Sequence, residues 1–344
     1  MINWPLDIAA GIVTVYWLIR FKKLWATAKK DRFNRYFWAF VLVGLGTVIA
    51  SPIAMTTGEK MTTLGYWWRL GGYWFFYVTA KATKKVDWVK YLRWLGVIWA
   101  MGGWIQYFAY PDLRPLEVAG WDPHYKRIFG IFLDPNFMGI MTVLTILGWF
   151  FEKPAKSVWL IRAFLLATLA FTYSRGSFLA LAGAGAYYAW VRKKFWVIGV
   201  MGVIGAVAWF GLPRPGGEGV KLERTASIEG RINNWREGAA MFRRYPLLGV
   251  GYNALRYARN QPTKNHAGAG WDNSLLIVAT TTGMVGLMVF LIFLKEVWRQ
   301  KSLIIKLTFL AIIIHSLFVN SLFYPWVMMW GWIVIGSAHL KNPN

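Results

Sequence analysis

The chain has 344 residues, 57% of them apolar or aromatic and 16% charged, where a soluble chain carries about 25% charge. This excludes a disordered, collagen-like or small disulfide-stapled protein and argues against a soluble enzyme. Its 23 Trp, 23 Phe and 16 Tyr exceed what a globule of this length can bury, whereas amphipathic rings collect at bilayer interfaces. Lys and Arg outnumber Asp and Glu by 39 to 15, a formal charge of +24. In a soluble protein that excess would point to nucleic acid; in a membrane chain the placement of the charges matters, and no nucleic-acid partner is expected. The absence of cysteine excludes disulfides, thiolate nucleophiles and zinc–thiolate sites.

Eleven hydrophobic runs follow in chain order, at about 5–20, 36–52, 64–80, 88–109, 128–151, 157–174, 176–192, 195–212, 274–294, 303–318 and 322–338. Several are near the lower length for crossing a bilayer, roughly 17 residues. The first lacks a basic start and is followed by its charges, so it does not read as a cleavable signal. Arg20, Lys22, Lys23, Lys29, Lys30, Arg32 and Arg35 open one set of alternate connections, which holds 21 basic residues; the short connections between them hold five. Cytoplasmic loops carry the excess of Lys and Arg, so the amino terminus is expected outside and the carboxyl terminus inside. The reading is an all-α polytopic membrane protein, a single domain over residues 1–344. Its one long extracytoplasmic loop, 213–273, is inserted between the eighth and ninth spans.

That loop opens with the linker-like stretch Pro213–Gly219. Ser227 reads as an N-cap, with Ile228, Ile232, Trp235, Ala239 and Phe242 at helical spacing and Pro246 as the stop. A second short helix is expected from Leu255 to Asn260. Arg93 and Arg162, on the cytoplasmic halves of their spans, read as snorkelling side chains. His315 reads as a buried helix–helix hydrogen bond, and Gly183 and Gly185 as close helix packing.

The outer side gathers Arg127, Arg175 in the turn Ser174-Arg175-Gly176-Ser177, Arg69 in the third span, Arg231 and Arg236 on the loop helix, and Asp272 with Asn273 ahead of the ninth span. Outer-face arginines run against the usual charge bias, and ionisable groups at the membrane are candidate site residues. Guanidiniums stay charged and grip phosphate through two parallel hydrogen bonds. Converging at an outer interface rich in aromatics, they suit a lipid phosphate such as a polyprenyl diphosphate. Arg243, Arg244, Arg256 and Arg259 read as a solvated face.

Four stretches resemble the O-antigen ligase / O-antigen polymerase family of bacterial envelope proteins. They are Arg127 through Gly130 to Pro135-Asn136, Tyr173-Ser174-Arg175-Gly176-Ser177 with Leu179, Arg231 and Trp235 through Pro246 to Gly249 and Gly251, and Asp272-Asn273-Ser274 with Gly283 eleven positions on. The resemblance implies a multi-spanning inverting glycosyltransferase of the bacterial plasma (inner) membrane that needs no metal or cofactor. Its donor would be a glycan on undecaprenyl diphosphate, its acceptor a hydroxyl of lipid A-core, of another lipid-linked glycan or of a protein. Membrane lipid would surround it. Arg175 and Arg231 are expected to hold the diphosphate, helped by Arg127, Arg236 or Arg69, with Asn136 and Asn273 positioning sugar.

The family's base is a histidine at the start of the span after the loop; here the spacing to Gly283 places Asp272 there. His266, six residues earlier, and His124 in another outer loop are the other candidates for the base. Asp272 has a second reading as the N-cap of the ninth span. Two other functions fit a polytopic chain: a transporter or flippase for lipid-linked glycan, which would show charges along a path with matched broken helices, and a non-catalytic partner in an envelope polysaccharide complex.

Overall fold

The computed structural model describes residues 4–261 and 270–337. Among them every regular element is helical: α1 (Trp4–Ile19), α2 (Phe21–Ala28), α3 (Arg32–Ile49), α4 (Thr57–Ala82), α5 (Trp88–Ala109), α6 (Pro135–Phe150), α7 (Lys156–Phe171), α8 (Arg175–Arg192), α9 (Trp196–Gly211), α10 (Ala226–Arg244), α11 (Leu255–Ala258), α12 (Ser274–Trp298), α13 (Leu303–Ser316) and α14 (Pro325–Ser337). Each of the eleven hydrophobic runs coincides with one helix. By length and composition, α12 is the one described helix both long and apolar enough to cross a membrane; Pro5–Ile19, Pro135–Phe150, Trp196–Gly211 and Leu303–Ser316 are shorter apolar helices.

Local signals place several ends. The fifth run was read from residue 128, but α6 starts at Pro135, because Asp134 accepts from Asn136 N and proline occupies the first turn. Thr56 and Glu59 form a reciprocal capping box on α4. α10 starts at Ala226, one residue ahead of the expected cap Ser227. Its apolar stripe is turned outward: Ile228, Ile232 and Trp235 are all exposed. The helix packs instead through Gly238 against Leu276 of α12.

The core is built by α3, α4, α12 and α14 on one side and α5, α6, α8 and α13 on the other. Small residues allow close approach. A Cβ at Gly183 would meet Ile314 of α13 and one at Gly185 would meet Met201 of α9, the helix-packing role expected of both. Arg93 does not snorkel: it is buried, pairs with Glu152 and lies over the Trp149 ring. Arg162 turns back onto the carbonyls of Trp149, Phe150 and Glu152 at the end of α6.

The chain 246–251 threads into a break in α12. Gly283 has φ +64°, outside helical geometry. Around it Val250 N donates to Thr280 O (2.9 Å), Gly251 N to Thr281 O (3.0 Å) and Met284 N to Pro246 O (2.8 Å). The interrupted helix thereby finds replacement partners for its backbone groups, which have to be paired wherever water is excluded. A Cβ at Gly283 would lie 2.1 Å from Leu247 O, so the glycine is required for both its conformation and its size.

Candidate functional site

The turn before α8 organises the site. Ser174 caps α8 by accepting from Ser177 N, and its hydroxyl donates to Asn136 Oδ1 (3.0 Å), tying α8 to α6. Tyr173, at φ +51°, donates its hydroxyl to Pro213 O (2.5 Å) and packs with Val220 and Leu222. The Pro/Gly stretch expected to be a linker is therefore anchored at its first residue. Arg175 Nη1 donates to Leu222 O and Arg224 O, both at 3.0 Å. Arg224 in turn donates to Gly219 O, Lys221 O and Tyr173 O.

Four guanidiniums converge here: Arg127, Arg175, Arg224 and Arg231. Arg127 is buried; its Nε donates to Thr172 O (2.8 Å), while its Nη2 is buried with no partner. Burial, then the repulsion of Arg224, pushes its pKa down to about 9. Arg224 is pushed down to about 10 by burial and by Arg175 and Arg231. Arg231 donates from Nε to Phe318 O (3.1 Å) and lies over the Phe318 ring; burial lowers it, and the charges of Asp272 and Asp134 work the other way. Arg127, Arg224 and Arg231 form no ion pair with a described carboxylate. Mutually repelling cations with an unsatisfied buried N–H are the chemistry that a multi-oxygen anion would satisfy. All four remain charged at neutral pH.

The other expected arginines fall elsewhere. Arg69 forms a two-pronged pair with Asp7 of α1, Nε–Oδ1 2.8 Å and Nη2–Oδ2 2.5 Å; it lines the cavity below but its fork is already engaged. Arg236 is exposed, five residues along α10 from Arg231 and so about 140° around the helix; the structure does not bring it into the cluster. Arg259 is no simple solvated residue: it stacks on Trp271 (4.3 Å) and pairs with Glu237 (3.1 Å).

A cavity of about 520 Å³ is lined by Trp121, Phe137, Trp271 and Tyr324, by Asp122, Asp134 and Asp272, and by Arg69 and Arg256; the cluster adjoins it through its carboxylates, Arg231 acting on Asp272 and Arg127 on Asp122 and Asp134. The cap of α12 is Asn273, not Asp272: the side chain expected to position sugar instead accepts from Leu275 N and Leu276 N. Asp272 is left facing the cavity, its backbone N–H held by Asn234 Oδ1 (3.1 Å). Partial loss of water raises its carboxyl, and Arg231 works against that rise. Asn136 joins Ser174 and Asp134 rather than the open cavity. His266 lies outside the described residues.

His124 is held neutral, its pKa pushed down to about 3 by burial and by Arg127 and Arg224; its Nε2 is buried without a partner. His315 bonds Ser321 Oγ (2.6 Å) in the turn after its own helix, not another helix. Asp122, His124 and Asp134 bring three donor atoms within 4.8 Å of one another. Arg127 and Arg224 face the same His124, and like charges oppose a cation at that position. Arg224, Asp122 and Asp134 are candidate site residues that carry no motif of their own. The Asp-Pro pairs at 122–123 and 134–135 were the only available signal.

Comparison with known families gives one match: residues 160–291 match the family described as O-antigen ligase. No curated protein matches the chain. The matched stretch contains Arg175, Arg224, Arg231, Asp272 and the broken turn at Gly283, so the O-antigen ligase / polymerase resemblance read from the motifs holds. The Arg127–Asn136 segment lies ahead of it.

Proposed function

We propose that this chain, whose residues 160–291 carry the O-antigen ligase family's domain, is a metal-independent inverting glycosyltransferase. It moves a glycan from undecaprenyl diphosphate to an acceptor hydroxyl on the outer face of a bacterial plasma membrane. The observation that carries this reading is the cluster of Arg127, Arg175, Arg224 and Arg231 beside a cavity walled by aromatics and carboxylates.

The arginines receive the diphosphate, where negative charge develops as the glycosidic bond breaks. Preorganised cations aimed at that charge lower the barrier. The aromatic walls suit sugar faces. Asp272, in the position of the family's histidine, engages the acceptor hydroxyl. Eleven helices span the bilayer, with the amino terminus and the 213–273 loop outside. Outward apolar stripes support a bilayer around the bundle: Ile8, Ile12, Val15 and Ile19 on α1, and Ile98, Met101, Ile105 and Phe108 on α5, are exposed at helical spacing and would aggregate in water.

The test is transfer from undecaprenyl-diphosphate-linked oligosaccharide to a lipid-linked acceptor by purified protein in vesicles. Wild type transfers with chelator present, and Arg231→Ala falls roughly 100-fold. Equal transfer by Arg231→Ala would sink the reading. Movement of labelled lipid between leaflets with unchanged glycan length would favour transport instead.

A further inference from the structure

Three carboxylates enter the cavity, and they differ in what already holds them. Asp134 is committed to the start of α6, its Oδ1 accepting from Asn136 N at 2.6 Å. Asp272 makes no side-chain hydrogen bond, but the cations Arg231 and Arg259 face it. Asp122 has neither a hydrogen bond nor an ion pair. The charged groups acting on it are Asp134, Glu117 and Asp272, with Arg127 opposing them; Arg69, paired with Asp7, and Arg256 line the same cavity, and neutral His124, itself facing Arg127 and Arg224, stands within 4.8 Å.

We propose that Asp122 takes the proton of the acceptor hydroxyl, while Asp272 orients that hydroxyl beside the arginines. The inference rests on the transfer reading above. The acceptor oxygen forms a bond to the anomeric carbon as the bond from that carbon to the diphosphate oxygen breaks. The electron pair leaves on the diphosphate, among the arginines, and the hydroxyl proton passes to the Asp122 carboxylate. The division of labour follows from charge. A carboxylate flanked by cations is a weak base, whereas one facing other carboxylates holds a proton more tightly. Asp122 keeps an exposed face, and its carboxyl is pushed up to about 6, first by loss of water on its cavity side and then by Asp134. It is ionised at neutral pH yet more basic than an ordinary aspartate.

The experiment is the pH dependence of transfer by the full-length protein in vesicles, with undecaprenyl-diphosphate-linked oligosaccharide as donor. Wild type, Asp122→Asn, Asp122→Glu and Asp272→Asn are compared from pH 4.5 to 8.5. For wild type, kcat/KM is expected to rise with pH through about 6, as a base with that pKa requires. Asp122→Asn should lose about 100-fold or more in kcat, keep its affinity for the donor lipid and lose that rise. Asp122→Glu should recover part of the rate with a displaced rise, which separates chemistry from misfolding. Asp122→Asn transferring within about threefold of wild type, or retaining the rise near pH 6, overturns the assignment alone. Wild type that binds the lipid but transfers nothing overturns the transfer reading and this assignment with it.

Discussion

At the scale of single residues, the site shows how one residue type serves different purposes. Arg69 and Arg93 are balanced by Asp7 and Glu152; Arg162 and Arg175 bind main-chain carbonyls. Arg127 retains a buried, unpartnered Nη2, which costs free energy until an anion reaches it. Arg127→Lys keeps the charge but loses the planar fork. It should weaken binding of the diphosphate lipid about tenfold, the effect of roughly 1.4 kcal/mol, as measured by titration of nanodisc-held protein. Arg236→Ala should bind within about twofold of wild type, because its side chain lies around α10 from the cluster. Similar losses in both variants would remove the distinction drawn between them.

At the scale of elements, the segment 246–251 and the break in α12 form one unit. Around Gly283, Pro246 accepts from Met284 while Val250 and Gly251 donate to Thr280 and Thr281, and Gly249 lets the two backbones approach, a Cβ there meeting Thr280 O at 2.5 Å. Gly283→Ala should therefore destabilise the protein by at least about 2–3 kcal/mol, combining strain at positive φ with a backbone clash. Gly183→Ala meets only the mobile end of Ile314 and should cost less. Melting temperatures of the two variants in the same detergent check the order; equal shifts would mean that the break is not a fixed part of the fold.

At the scale of the whole molecule, the proposed topology can be read directly, since the chain has no cysteine and any introduced thiol is unique. Glu218→Cys, on the 213–273 loop, should react with a membrane-impermeant maleimide in intact cells. Lys84→Cys, in the connection between α4 and α5, should react only after the membrane is opened. Labelling of Lys84→Cys from outside would invert the orientation.

Much of the helical layout was legible because each hydrophobic run is a local property: the chain must pair its own backbone groups wherever water is excluded, and a helix does so within one segment. The anion cluster was legible in part. Arg175, Arg231 and Arg127 stand in motifs, but Arg224 resembles any basic loop residue until Gly219, Lys221 and Tyr173 are seen to hold it. Arg69 looked equally placed for phosphate until folding brought Asp7 against it, 62 positions away in sequence. Asp272 could serve as base or as N-cap by sequence, and the capping geometry of Asn273 removes the second reading. The sequence by itself thus determined a chain of apolar helices with one long arginine-bearing loop, through hydropathy and motif spacing. Only the tertiary structure decided which arginines are already neutralised and which carboxylates face the cavity, because charge balance and burial depend on contacts between residues far apart in the chain.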